Sequence, residues 1–212
     1  MNVRFSGRRG GARMFDKYNK VQQAVLETTL NIIIRKELQA TSMALIAKES
    51  GVSTGSIYHY FQSKEDIVNE LYKAIVTFNG EYVREGLLQG RTIREKFELG
   101  WNRVIDLGKK YPQGFQFIEQ YSFSPYIYEE VKQAVYTGGW CGPMNNLYEE
   151  AVQKKLFIPL NPKMMVQMHY GAFVYMLKAH LHGIFELTSD GVNEAISSCW
   201  NAVRLMDATV EE

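Results

Sequence analysis

Apolar residues recur at helical rather than alternating spacing along most of the chain. Val21, Val25, Ile32 and Ile33 fall on one side of a helix predicted over about 18–36. Thr41-Ser42 supplies an N-cap for a short helix over 43–50, which Gly51 ends. Ser53 caps a second short helix running through Tyr60-Phe61. Ser63, with Asp66 three residues on, forms a capping box that opens a long helix. Beyond it, Thr92-Ile93-Arg94-Glu95 is another capping box, and Ser124-Pro125 places a cap before a proline at the first helical position. Gly138-Gly139 and Gly142-Pro143 interrupt that stretch. Asn161-Pro162 opens a long helix to about Leu187, and Ser189-Asp190 opens the last, to about Asp207. No strand pattern, repeat or interdomain linker is visible. The predicted fold is all-α: an N-terminal three-helix helix-turn-helix unit fused to a larger C-terminal helical bundle. The expected divisions are an arm over 1–16, the three-helix unit over 17–63 and the bundle over 64–212.

Residues 41–64, TSMALIAKESGVSTGSIYHYFQSK, carry the chemistry. Met43, Ile46, Ala47 and Val52 can pack inward against Ile57 and Phe61, and Gly51 can take the positive φ of a tight turn between helices. The opposite side holds Thr54, Gly55, Ser56, Tyr58, His59 and Tyr60, with no acid among them. An acid-free face suits a groove lined with phosphates. The helix starts at Ser42, Ser53 and Lys64 offer free backbone N–H groups to phosphate oxygens. Gly55 lets the backbone approach base edges, Tyr58 can pack on a thymine methyl or bond a phosphate, and Lys64 is a point charge at the rim.

Charge sharpens this picture. The 212 residues carry a net charge of only +1. Through Lys64, ten basic residues face four acids, a net of +6; the remainder, with fourteen basic and nineteen acidic residues, carries −5. A basic first third on an acidic body points to a polyanion partner for the N-terminal segment only. The first sixteen residues, with Arg4, Arg8, Arg9 and Arg13 among glycines, read as a basic arm.

The segment resembles the hallmark of TetR-family transcriptional regulators, TSxxxIAxxxGVSxGSIYxYFxSKExL, and the resemblance spans about residues 18 to 72. It implies that the second and third helices read DNA. It also implies that the C-terminal bundle binds a small effector, and that the last two helices of each subunit build a four-helix dimer interface. Carried over by motif position, the expected DNA contacts are Thr41 or Ser42, Ser53, Thr54, Gly55, Ser56, Tyr58, His59, Tyr60 and Lys64. Two positions depart from the pattern. Glu37 stands where a glycine usually ends the first helix, at a cost of about 1 kcal/mol if a left-handed cap is still required. Ile33 stands where an aromatic is common.

The bundle is rich in aromatic residues, most of them expected as core. Trp101, Tyr121, His169, Tyr170 and Phe173 are the expected effector contacts, because tyrosine hydroxyls and a histidine among apolar walls suit a flat or greasy molecule. The last two helices are apolar over more than one side: Met164, Met165, Met168, Ala172, Phe173, Met176, Ala179, Leu181 and Ile184, then Ala195, Ile196, Cys199, Val203 and Met206. A symmetry mate is the expected cover, a thick intrachain core the alternative.

Other chemistry is weaker. Trp140-Cys141-Gly142-Pro143 resembles a thioredoxin-type tetrad, but Met144 stands where the resolving cysteine belongs. His180 and His182 point about 200° apart on one helix, and His169 is about 16 Å from His180 by helical rise, so they cannot share a metal. No nucleophile–base pair or phosphate loop is found, so no catalytic role, cofactor or metal is expected. The most apolar stretch, 164–187, holds His169, Lys178, His180 and His182 and is a poor membrane span. No apolar run precedes the first helix, so no signal peptide and a cytoplasmic location are expected. The partners expected are a double-stranded, near-palindromic DNA operator, a second copy of the chain and a small effector. A helical interaction module without a DNA role, or an activator without an effector, remains the alternative.

Overall fold

The computed structural model describes residues 14–139 and 141–206. Chain contacts divide it into two compact units, with the division after Ile67. Of the arm expected over 1–16, the described residues are Met14 to Asp16. Phe15 among them is buried, edge-on to Tyr18 with ring centroids 6.5 Å apart.

In the first unit, α1 (Lys20–Lys36) packs on α2 (Met43–Ser50) and α3 (Thr54–Tyr60). Asn19 caps α1 in a capping box with Gln22, so the helix starts two residues after the predicted Tyr18. The core is Val25, Leu26, Leu30, Ile32, Ile33, Ile46, Ile57 and Phe61. Removing each such side chain from water is worth about 1.5–3 kcal/mol. Thr29, buried among them, donates its hydroxyl to the Val25 carbonyl at 2.7 Å. Gly51 adopts φ 71° and ψ 11° at the end of α2, and its N–H bonds the Ala47 carbonyl. Glu37 also has positive φ, 64°, with ψ 165°, so the residue replacing the expected glycine does sit in backbone space that disfavours a side chain.

The long helix α4 (Lys64–Leu87) begins as predicted at Ser63, whose hydroxyl accepts the Asp66 N–H at 3.0 Å. The return bond from the Asp66 carboxylate goes to the Gln62 N–H at 3.1 Å, one residue earlier than a standard capping box.

In the second unit, α5 (Ile93–Lys110) contacts α6 (Pro112–Tyr121), α8 (Cys141–Gln153), α9 (Pro162–Leu181) and α10 (Ser189–Val203), while α7 (Glu129–Gly138) packs on α8. A Cβ at Gly100 would lie 2.7 Å from the Met144 sulfur, and one at Gly108 would lie 2.7 Å from Leu177 Cδ1, so these glycines allow the close approach to α8 and α9. No strand occurs among the described residues; a single bridge pairs Phe157 with Arg204.

Other boundaries also differ from the sequence reading, and the last helix ends at Val203. Ser124-Pro125 opens a turn, and the helix starts only at Glu129. Gly142-Pro143 lies inside the first turn of α8 instead of breaking it, because a proline at that point forfeits no helical hydrogen bond. The predicted long helix to Leu187 ends at Leu181, where Gly183 turns the chain at φ 70°. Trp140 and Asp207 lie outside the described residues.

Candidate nucleic-acid interface and bundle centre

Seven residues make α3, and its fully buried Ile57 anchors it. Ser53, Thr54, Gly55, Ser56, Tyr58, His59 and Tyr60 are all exposed, Tyr58 by 51%. The Ser53 hydroxyl accepts the Ser56 N–H at 3.2 Å and lies 2.8 Å from the Ser56 hydroxyl. Two polar side chains thus fix the helix start. His59 and Tyr60 meet edge to face at 4.8 Å. A Cβ at Gly55 would meet nothing within 4 Å, so the surface beside it is open.

Of the pair Thr41 or Ser42, only Ser42 is exposed. Thr41 is 3% exposed, and its hydroxyl donates to the Glu37 carbonyl at 3.0 Å. Ser42 accepts the Leu45 N–H at 3.2 Å as the cap of α2. Lys64 is half-buried, with its ammonium 3.4 Å from the Leu38 carbonyl.

In the bundle, Trp101, His169 and Phe173 come together. Trp101 packs 4.9 Å from Phe173 and 6.0 Å from His169, centroid to centroid, with Phe97 beside them. Tyr148, which sequence reasoning missed, is the hub. Its oxygen accepts the Trp101 indole N–H at 2.8 Å and lies 2.6 Å from His169 Nδ1. An indole can only donate; with the Tyr148 O–H donating to Nδ1 and the His169 proton on Nε2, the hydroxyl both accepts and donates. Burial lowers the His169 pKa to about 4, keeping the ring neutral, and burial raises that of Tyr148. A signal for Tyr148 was available: it lies between Leu147 and Ala151 on the apolar side of α8.

The other two expected effector contacts have partners on α6. Tyr121 is buried beside Phe117, with centroids 5.1 Å apart. Tyr170 donates to Glu119 at 2.7 Å, and the other Glu119 oxygen meets Lys178 at 3.2 Å. Burial and then the Glu119 charge hold the Tyr170 phenol well above its usual range.

Burial also pushes the Cys141 thiol up to about 12, the reverse of what a nucleophilic thiolate requires. Among the described residues, no group of three or more His, Cys, Asp or Glu could hold a metal ion. No helix among them is long and apolar enough to cross a membrane.

The apolar surface of α9 and α10 splits in two. Met165, Phe173, Ala179, Ile196 and Val203 are buried within the chain. Met164, Met168, Gly171, Ala172 and Tyr175 are exposed at helical spacing. Met168 is 63% and Tyr175 78% exposed.

A family profile described as "Bacterial regulatory proteins, tetR family" matches residues 25–71, and one described as "Tetracyclin repressor-like, C-terminal domain" matches residues 58–205. The chain belongs to the TetR family of bacterial regulatory proteins. The HTH-type transcriptional regulator BetI of Vibrio campbellii is 38% identical over 65 residues, covering 31% of this chain and 33% of BetI. The fatty acid metabolism regulator protein of Bacillus subtilis is 31% identical over 75 residues, 35% of this chain and 39% of that protein. The chain thus spans about a third of the length of the curated relatives it matches. Among solved structures, a TetR family transcription regulator from Marinobacter aquaeolei VT8 superposes with a TM-score of 0.79 at 21% identity, over 86% of this chain and 95% of that one. The fatty acid degradation regulator FadR from Bacillus halodurans superposes with a TM-score of 0.71 at 16% identity, over 88% and 95%. These superpositions establish the fold.

Proposed function

We propose that the chain is a homodimeric DNA-binding transcriptional repressor that binds a near-palindromic operator in the cytoplasm and is released from it by a small molecule. The observation that carries this reading is the exposed, acid-free side of α3. Ser42, Ser53, Thr54, Gly55, Ser56, Tyr58, His59, Tyr60 and Lys64 form the DNA contacts, with Thr41 supporting them from beneath. In the dimer, two copies of α3 enter successive major grooves about 34–36 Å apart.

The exposed stripe of Met164, Met168, Gly171, Ala172 and Tyr175 supports dimerisation through α9 and α10. Small residues at its middle let two helices approach closely. The bundle from α4 onward, with Trp101, Tyr121, His169, Tyr170 and Phe173, takes the effector. Its signal travels along α4, which follows α3 by three residues in the chain and spans Lys64–Leu87. A coupling of about 1–3 kcal/mol weakens operator binding about 5- to 150-fold.

Titration of duplex DNA at increasing salt tests the reading. Affinity is expected to fall about a thousandfold or more between about 50 and 200 mM salt, with one dimer per duplex. Salt-independent or absent binding overturns it.

A further inference from the structure

One side chain ties the joint between α6 and α7 to α4. Asn69, on the second turn of α4, is 3% exposed. Its Nδ2 donates to the Tyr126 carbonyl at 3.0 Å, and its Oδ1 accepts the Tyr128 N–H at 2.7 Å. Both partners lie far along the chain from Asn69, and they flank Ile127, whose side chain is buried. A carboxamide offers one donor and one acceptor on a rigid plane, so it grips two backbone groups of one segment as a neighbouring strand would.

The gripped segment is itself fixed at both ends. Ser124 N–H bonds the carbonyl of Tyr121, the last residue of α6. The Val131 and Lys132 N–H groups bond the Tyr128 carbonyl at the start of α7. Hydrogen bonds weaken steeply with misalignment. A displacement of the joint therefore either breaks two part-buried bonds made by one carboxamide together or carries α4 with it.

We propose that Asn69 is a positioning residue that passes the state of the α6–α7 joint to α4, and through α4 to the operator. The proposal rests on the reading of the chain as an operator-binding regulator and names the residue through which that regulation runs.

A double-mutant cycle on the full chain tests it, with Ile127→Ala loosening the joint and Asn69→Leu removing the grip. The readout is Kd for a duplex selected from a random pool, with hydrogen exchange at the Tyr128 amide as a local control. Ile127→Ala is expected to change Kd at least about fivefold in the unmodified chain. In the Asn69→Leu background the change is expected to stay under about twofold, with faster Tyr128 exchange. Should Asn69→Leu fail to fold, Asn69→Asp keeps the acceptor for Tyr128, loses the donor to Tyr126 and carries the same expectation. No effect of Ile127→Ala in the unmodified chain, or equal effects in both backgrounds, overturns the proposal alone. Failure of the unmodified chain to enrich any duplex overturns the operator reading, and the proposal with it.

Discussion

The Tyr148 hydroxyl lies 2.6 Å from Nδ1 of His169, with the Trp101 indole donating to the same oxygen at 2.8 Å. With the Tyr148 O–H as donor, the bond needs a neutral ring with Nδ1 free of a proton. Burial supplies that condition by lowering the His169 pKa from 6.5 to about 4.

Stability should therefore fall with acid in a defined window. Between pH 6.5 and about 4 the unfolded chain binds the His169 proton and the folded chain does not. The stabilisation is complete above pH 6.5 and is lost as pH falls toward 4, by on the order of 2–3 kcal/mol. His169→Phe should flatten this slope while costing about 1–3 kcal/mol at pH 7, because the Tyr148 hydroxyl loses its acceptor. Urea unfolding at pH 7 and pH 5 checks both; an unchanged slope in the variant contradicts the assignment.

Glu37 gives a second prediction. Its φ of 64° with ψ of 165° is space that glycine occupies freely and other residues do not. Glu37→Gly should stabilise the chain by about 1 kcal/mol, raising its thermal midpoint by a few degrees. Gly51→Ala should do the reverse by about 1 kcal/mol, through backbone strain alone, since an added Cβ meets nothing within 4 Å. Calorimetry of the pair measures both; a destabilised Glu37→Gly variant contradicts the argument.

The apolar stripe on α9 makes a third. Placing a charge in a buried dimer face leaves that charge uncompensated, at a cost of about 3–5 kcal/mol. Met168→Glu and Tyr175→Glu should each yield a folded monomer by sedimentation velocity. Dimers of unchanged affinity would place the interface elsewhere.

On the DNA side, Tyr58→Ala should weaken operator binding about tenfold or more, the scale of a lost base contact. Lys64→Ala should lower the log–log salt slope by about 1. Thr41→Val should instead act on stability, because its hydroxyl serves the Glu37 carbonyl. Filter-binding isotherms at several salt concentrations separate these effects.

Much of the fold was legible because its signals are local. Ser42, Ser53, Ser63, Thr92 and Asn161 each bond the backbone of their own helix start. The turn at Gly51 likewise needs only its own φ. What could not be read depends on distant partners. Pro125 sits in a turn, in a segment held at its far end by Asn69 from α4. Met164 and Met165 are neighbours of one type, yet one is exposed and the other buried; only the packing of α9 decides which. Thr41 and Ser42 were equivalent as cap candidates until the Glu37 carbonyl claimed one of them. Asn69 did leave a trace, as a polar residue within the apolar run Ile67, Val68, Leu71 and Tyr72.

Selection of duplexes bound by the full chain from a random pool tests the central claim most directly. Two copies of α3 related by a twofold axis should enrich an inverted repeat whose half-sites lie about one helical turn apart, centre to centre. Recovery of single half-sites, direct repeats or an unenriched pool would contradict it.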